Sequence, residues 1–402
     1  MPQFTYQVKG AGGRMQKGKL TSMDKTSAVE ELRKRGLTVL SVQEVRTTVL
    51  QTELYIGNPV KGIHFIIFCR QFATLIRAGV TLVDATNILS EQTESKPLKK
   101  ALAEVNSALL RGIPFSQAAQ EHKRIFPPMF ISMVRAGEET GDLDGTMDRL
   151  AAFFEKAHST KEKIKSAMTY PIVVGVMSIA AVIYLLLAVV PQFVSMFESF
   201  GAELPLITRV VLAMSGSVAN QWYLWLLGVI VLIMAFVGVK RTEKGKYAID
   251  YAKLKIPIFG KLNQKGAIAQ MTRTLSSLYA SSVPVLQSLA IVEQVVGNKV
   301  ICEVIRQSGD SLRRGSPLSE PLKRSWVFPP LVTQMIAVGE ETGALDQMLS
   351  KVADFYEMDV DNTVDRLKSL IEPLLIVFLA GVVGLIVMAI LLPMFTLYST
   401  VG

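Results

Sequence analysis

One block of sequence, ending in a membrane-length apolar run, is used twice in this chain. Phe126-Pro127-Pro128 followed by Gly137-Glu138-Glu139-Thr140-Gly141 returns 202 residues later as Phe328-Pro329-Pro330 followed by Gly339-Glu340-Glu341-Thr342-Gly343. The same offset carries Pro171 to Pro373 and Pro191 to Pro393, the prolines that bracket the uncharged runs Ile172–Val190 and Leu374–Leu392. A third uncharged run, Trp222–Val239, has no repeat partner. At a rise of 1.5 Å per residue, about 18–20 residues cross a ~30 Å hydrocarbon layer, whereas buried core helices are usually shorter and amphipathic. The sequence therefore predicts three transmembrane helices, two of them attached to copies of one polar helical module.

Composition fits a membrane protein with much of its mass outside the bilayer. Half of the 402 residues are hydrophobic and 19% are charged, too apolar for an ordinary soluble protein and too polar for a polytopic transporter. Lys and Arg near the spans predict the orientation. Lys156, Lys161, Lys163 and Lys165 precede the first span, and Lys240, Arg241, Lys244 and Lys246 follow the second. The segment Pro191–Gln221 holds one basic residue, Arg209, and no charge follows Glu372. The expected topology is a cytoplasmic N-terminus, an external first loop, a cytoplasmic middle segment and an external C-terminus. Trp222, Tyr223 and Trp225 suit an aromatic anchor at the outer end of span two. Met1–Leu50 lacks the apolar core of a signal peptide. Cys69 and Cys302 fall in segments expected in the cytoplasm, which argues against a disulfide. The net charge of +9 comes without a basic stripe interleaved with aromatics, so no nucleic-acid partner is expected, and anionic lipid explains the excess.

The expected fold is mainly α, with a small N-terminal α/β extension at 1–50. Phe4–Val8 alternates as a strand, Lys17–Leu20 pairs back after a Gly-rich turn, and Leu37–Val45 reads as a further strand. Asp24 is a candidate N-cap for a helix through Ala28, Leu32 and Arg35, stopped by Gly36. A first cytoplasmic six-helix bundle (56–170) leads into span one (171–191), an external loop (192–221) and span two (222–239). A second such bundle (258–372) leads into span three (373–395). Within the first bundle, a helix begins after Pro127-Pro128 and ends at Gly137, and the next starts near Thr140–Asp142. Short connections imply antiparallel neighbours. The second bundle repeats this order as Leu275–Ser282, Val285–Val296, Ile301–Arg314, Pro317–Pro321, Pro330–Val338 and Leu345–Glu372, with a one-residue slip that matches Gly112 to Gly315. An amphipathic stretch near Ile207–Ala219 either lies on the membrane surface or extends span two. Pro171 and Pro373 either open the membrane helices or kink continuous ones.

No catalytic, cofactor or metal set emerges. Gly13-x4-Gly18-Lys19 resembles a phosphate loop, but Leu20 stands where the motif needs Ser or Thr, and a hairpin turn explains it. His64, His122 and His158 share no ligand spacing, there is no Gly-x-Ser-x-Gly elbow, and the spans carry no Asp, Glu, Lys, Arg or His. Glu138-Glu139 and Glu340-Glu341 are the polar residues of most interest. Two readings compete. In one, Thr140 or Asp142, and Thr342, cap the following helix while the acids sit near its positive end. In the other, these turns face a partner or join other carboxylates round a cation. Arg135 aligns with Ala337 and Asp142 with Ala344, so the partner sites of the two modules differ. Arg135, Glu138, Glu139, Glu340 and Glu341 are the candidate partner-binding residues. A small transporter built from repeats, or a membrane-tethered sensor, remains an alternative. A repeat-built transporter, however, places its repeats in the membrane.

These features together resemble a known family. The twin Gly-Glu-Glu-Thr-Gly turns, Ala78-Gly79-Val80-Thr81-Leu82 with its counterpart Ser281-Ser282-Val283-Pro284-Val285, an amino-terminal Phe4-x-Tyr6 followed by Leu32-x3-Gly36, and three spans are similar to the type II secretion F family. That family includes the inner-membrane platform protein of type IV pili. The resemblance implies a non-enzymatic, homo-oligomeric platform in the cytoplasmic membrane, without cofactor. The partners it implies are a hexameric motor ATPase on the cytoplasmic side, pilin or pseudopilin subunits in the bilayer, and other inner-membrane assembly proteins.

Overall fold

The computed structural model describes residues 3–9, 15–21, 29, 33, 38–44, 59–193, 206–257 and 259–401. Two compact units divide at Pro59/Val60. In the first, β1 (Gln3–Lys9), β2 (Met15–Thr21) and β3 (Thr38–Glu44) form an antiparallel sheet in the order β2-β1-β3. Gly18 and Lys19 lie in β2, paired with Tyr6 and Thr5, as a hairpin requires and a phosphate loop does not. Val29 and Arg33 are helical, while Asp24, Ala28, Leu32, Arg35 and Gly36 lie outside the described residues.

The second unit begins with α1 (Gly62–Arg77), α2 (Leu82–Gln92), α3 (Lys96–Leu110), α4 (Phe115–Gln120), α5 (Pro128–Thr140) and α6 (Leu143–Tyr184). The repeat follows as α10 (Phe259–Ala280), α11 (Val285–Val296), α12 (Lys299–Arg313), α13 (Ser319–Arg324), α14 (Pro330–Thr342) and α15 (Leu345–Val401). Between them lie α7 (Leu206–Asn220), α8 (Trp222–Arg241) and α9 (Glu243–Lys255). The Phe-Pro-Pro blocks start α5 and α14. Phe126 is fully buried and stacks on Phe130 at 5.3 Å, Pro127 is the N-cap, and Pro128 occupies the first turn, where its missing N–H costs nothing.

Among the described residues three helices are long and apolar enough to cross a membrane, within Leu143–Phe193, Tyr223–Arg241 and Leu345–Leu392. Pro171 lies inside α6 and Pro373 inside α15, so bundle and span share one continuous helix in each repeat. The amphipathic stretch becomes α7. It neither lies apart nor extends span two, because Gln221 breaks it from α8 with φ −121 and ψ 23. Instead Val211 packs among Leu186, Val190, Ile386 and Ala389 of spans one and three. Its hydroxyls find backbone acceptors there: Ser215 Oγ donates to the Leu186 carbonyl at 2.6 Å and Thr208 Oγ1 to that of Ala389 at 2.7 Å. Leu186 sits in the π-turn Leu185–Val189, where the normal ladder is displaced.

Helix α9 was not foreseen. Thr242 caps it through the Gly245 N–H, and its buried Asp250 accepts from the Lys299 N–H at 3.1 Å and from Lys253 Nζ at 2.8 Å. This moors the C-terminal end of span two on the start of α12.

The two bundles share an ionic latch between their first and last helices. Arg70 donates to Glu155 through Nε (2.7 Å) and Nη2 (2.5 Å), and the equivalent Arg273 donates to Glu357 at 2.8 and 3.0 Å. The Arg70 hydrogen bond holds the Glu155 carboxyl below the usual range despite some desolvation. Its stabilisation is therefore present above the ordinary carboxylate pKa and is lost as pH falls through the lowered one. Thermal unfolding should shift downward as pH drops below about 4. Glu357→Gln should cost about 1–3 kcal/mol in a half-buried site, and Glu155→Gln at its more exposed site under about 1 kcal/mol. Equal losses in denaturation would contradict that ranking.

Candidate functional site at the acidic turns

Each Gly-Glu-Glu-Thr-Gly turn closes one helix, rather than separating two as the spacing suggested. Helix α5 runs past Gly137 to Thr140, and Gly141 follows in the left-handed region at φ 78. Gly343 does the same after α14 at φ 74. A residue with a Cβ is strained there, which explains the final glycine of the motif. The first glycine serves packing. A Cβ on Gly137 would lie 3.0 Å from Thr146 Oγ1, and one on Gly339 would lie 2.9 Å from the Leu345 Cα. The threonines are not caps of the following helix. Thr140 Oγ1 donates back to the Ala136 carbonyl and Thr342 Oγ1 to that of Val338. Asp142 is the cap of α6, accepting from the Gly145 N–H at 3.2 Å. Arg149 donates to Asp142 at 2.8 Å and lowers its pKa.

The first acid of each pair has a structural task that sequence reading placed on the wrong helix. Glu138 sits in the last turn of α5, where the helix dipole disfavours an anion. Its carboxylate instead accepts from the Phe115 N–H (2.6 Å) and the Ser116 N–H (3.2 Å), the unpaired donors at the start of α4. Glu340 repeats this on the Leu318 N–H (2.5 Å) and the Ser319 N–H (3.1 Å). The one-residue slip in the repeat is absorbed between these short helices and the Phe-Pro-Pro blocks.

The second acids are different. Glu139 and Glu341 are exposed, and among the described residues neither takes a hydrogen bond or ion pair. Arg135, half-buried, donates to Gln120 Oε1 at 2.9 Å. Arg135, Glu138 and Glu139 meet with Ser116, Gln117 and Gln120 round an open cleft of about 490 Å³. Glu340 and Glu341 hold the equivalent corner of the second module. There Ala337 replaces Arg135, and by the repeat Glu320 and Lys323 replace Gln117 and Gln120. Chemically these corners can offer charge-assisted hydrogen bonds to a protein surface. Among the described residues no three His, Cys, Asp or Glu side chains form a metal-holding group. The sequence reading missed Gln117 and Gln120, since nothing in their spacing ties α4 to α5.

Comparison with known proteins places these features. A family model described as type II secretion system (T2SS), protein F matches residues 68–191 and 271–393, and a model of that protein's N-terminal domain matches residues 1–43. The chain is 40% identical over 406 residues to a type IV pilus assembly protein PilC of Thermus thermophilus, covering all of both chains. It is 37% identical over 402 residues to the PilC of Myxococcus xanthus, covering 99% of this chain and 96% of that one. It is 33% identical over 411 residues to a type II secretion system protein F of Xanthomonas campestris, again over the whole of both.

Glu138→Gln and Glu340→Gln should each lower stability by about 0.5–2 kcal/mol through loss of the α4 or α13 cap. Glu139→Gln and Glu341→Gln should stay within about 0.5 kcal/mol of the parent. Thermal denaturation of the four variants separates the two roles, and destabilisation by the second pair would refute the division.

Proposed function

Because this chain belongs to the type II secretion system protein F family, we propose that it couples a cytoplasmic motor ATPase to the assembly of pilin or pseudopilin subunits. It is an inner-membrane platform protein of a type IV pilus or type II secretion machine, a multi-pass protein working beside other assembly components. The observation that supports the coupling role is the repeated unit itself, in which each bundle continues into its span as one helix through Pro171 or Pro373. A displacement of the bundle is then carried into the bilayer without a hinge loop.

In this reading the N-terminus and both bundles face the cytoplasm, where the motor binds, and the C-terminus is external. The basic residues flanking the inner ends of the spans support this. The motor contacts the acidic corners, and the two corners make different contacts. Arg135, Glu138 and Glu139 offer mixed charge, while beside Glu340 and Glu341 Ala337 stands in place of the arginine. The spans meet the subunits, and the protein works as a homo-oligomer.

Glu139→Lys with Glu341→Lys should leave the protein folded and inserted yet abolish filaments or secretion in a complemented deletion strain. It should also abolish co-purification of the motor ATPase, while the ATPase activity of the isolated motor is unchanged. Normal assembly by this double variant would remove the acidic corners from the mechanism. Persisting pili or secretion in the deletion strain itself would defeat the platform reading.

A further inference from the structure

The two modules of one chain meet through different faces. Module one presents a stripe of α6: Arg149 donates to Ser281 Oγ at 3.0 Å, Lys156 pairs with Glu357 at 3.5 Å, and Lys163 pairs with Asp361 at 2.6 Å. By the repeat, Glu357 and Asp361 correspond to Glu155 and Ser159. On a helix turning about 100° per residue, Arg149, Lys156 and Lys163 form one stripe, and Glu155 and Ser159 lie roughly 100° round from it. The contact is therefore heterologous, and a heterologous contact leaves one copy of each face unpaired.

Exposure bears this out on both faces. Phe153, on the covered stripe of α6, is 8% exposed, and its equivalent Phe355 on α15 is 49% exposed. The side chain of the latch residue Glu357 is 12% exposed under α6, and that of its equivalent Glu155 is 40% exposed. On the first helices, Gly266 and Gln270 line the cleft of about 650 Å³ between α6 and α10. Their equivalents on α1, Ile63 and Ile67, are exposed large apolar residues, as is Met358 beside Phe355. These four side chains lie outside the spans, where bare apolar surface of this kind marks a contact.

We propose that a second copy of this chain covers them. The Phe355–Met358 face of one chain packs on the Ile63–Ile67 face of the next, continuing between chains the contact that already joins the modules within one. Assembly is then head to tail and closes into a ring where the rotation allows. This rests on the reading that the chain works as a homo-oligomer, and adds the faces and their polarity.

The test uses full-length protein in membranes, with differently tagged chains carrying Ile67→Cys or Met358→Cys. Native Cys69 and Cys302 are buried and stay silent. A thiol cross-linker should give a mixed dimer when the two variants are co-expressed, and little when either is expressed alone. Lys163→Cys with Asp361→Cys in one chain is the intramolecular control. Like-with-like dimers without the mixed one overturn the proposal. Cross-linking of the Ile67→Cys position to an unrelated protein, without the mixed dimer, also overturns it. Native mass spectrometry separates the remaining cases: an oligomer without the cross-link overturns only these faces, and a monomer overturns the oligomer reading as well. Independently, Met358→Glu or Ile67→Glu should raise the dissociation constant about tenfold or more, and Leu110→Glu, at an exposed apolar residue elsewhere, should not.

Discussion

Backbone continuity from bundle to bilayer is the constraint on which this molecule depends. Helix α6 has 42 residues before its π-turn and α15 has 57, so each extends roughly 60–85 Å at 1.5 Å per residue. A helix of that length bends unless something holds its polar half straight. The latches Arg70–Glu155 and Arg273–Glu357 tie it to the first helix of its bundle. Gly137 and Gly339 let the preceding helix press close against its start. The parts that recur in both modules thus surround one object, the base of a long helix.

At the far end the same helices are held by α7. In hydrocarbon no water is available to an unpaired carbonyl, so a π-turn there needs a partner from the protein. Ser215 supplies one to Leu186, and Thr208 bonds α15 in the same way. Spans one and three are thereby joined through a third element near their C-terminal ends. Span two instead is moored at its C-terminal end, through α9 and Asp250. The membrane part is consequently a braced pair of helices plus one helix whose surface is bare within the chain.

Much of this was legible because the two periodicities are strong. Apolar runs without charge gave the spans, and the 202-residue repeat gave the module, its order and the slip between Val80 and Phe126. The acidic turn was misread for a physical reason. Sequence spacing relates Glu138 to its neighbours along the chain, and the nearest positive helix end along the chain is that of α6. The donors it satisfies belong to α4, more than twenty residues earlier, and only packing brings them together. Helix α9 was missed because its mixed charge hides its periodicity, and its anchor, Asp250, is buried against a helix 49 residues later. Val29 and Arg33 alone represent the expected N-terminal helix among the described residues.

The repeat constrains what the two modules can do differently. Where structure demands a residue, both copies keep it: the latch arginine and glutamate, the capping glutamate, the left-handed glycine. Where a surface is only a surface, they diverge, as at Arg135 and Ala337, or Lys156 and Met358. Had the modules packed face to like face, both copies would bury the same stripe, and Phe355 would be as covered as Phe153. Packing through unlike faces removes that symmetry. It leaves the outer helix of one copy covered within the chain and that of the other exposed, while the base of each long helix stays the same. A duplicated unit therefore acquires two unlike outer faces without acquiring two designs.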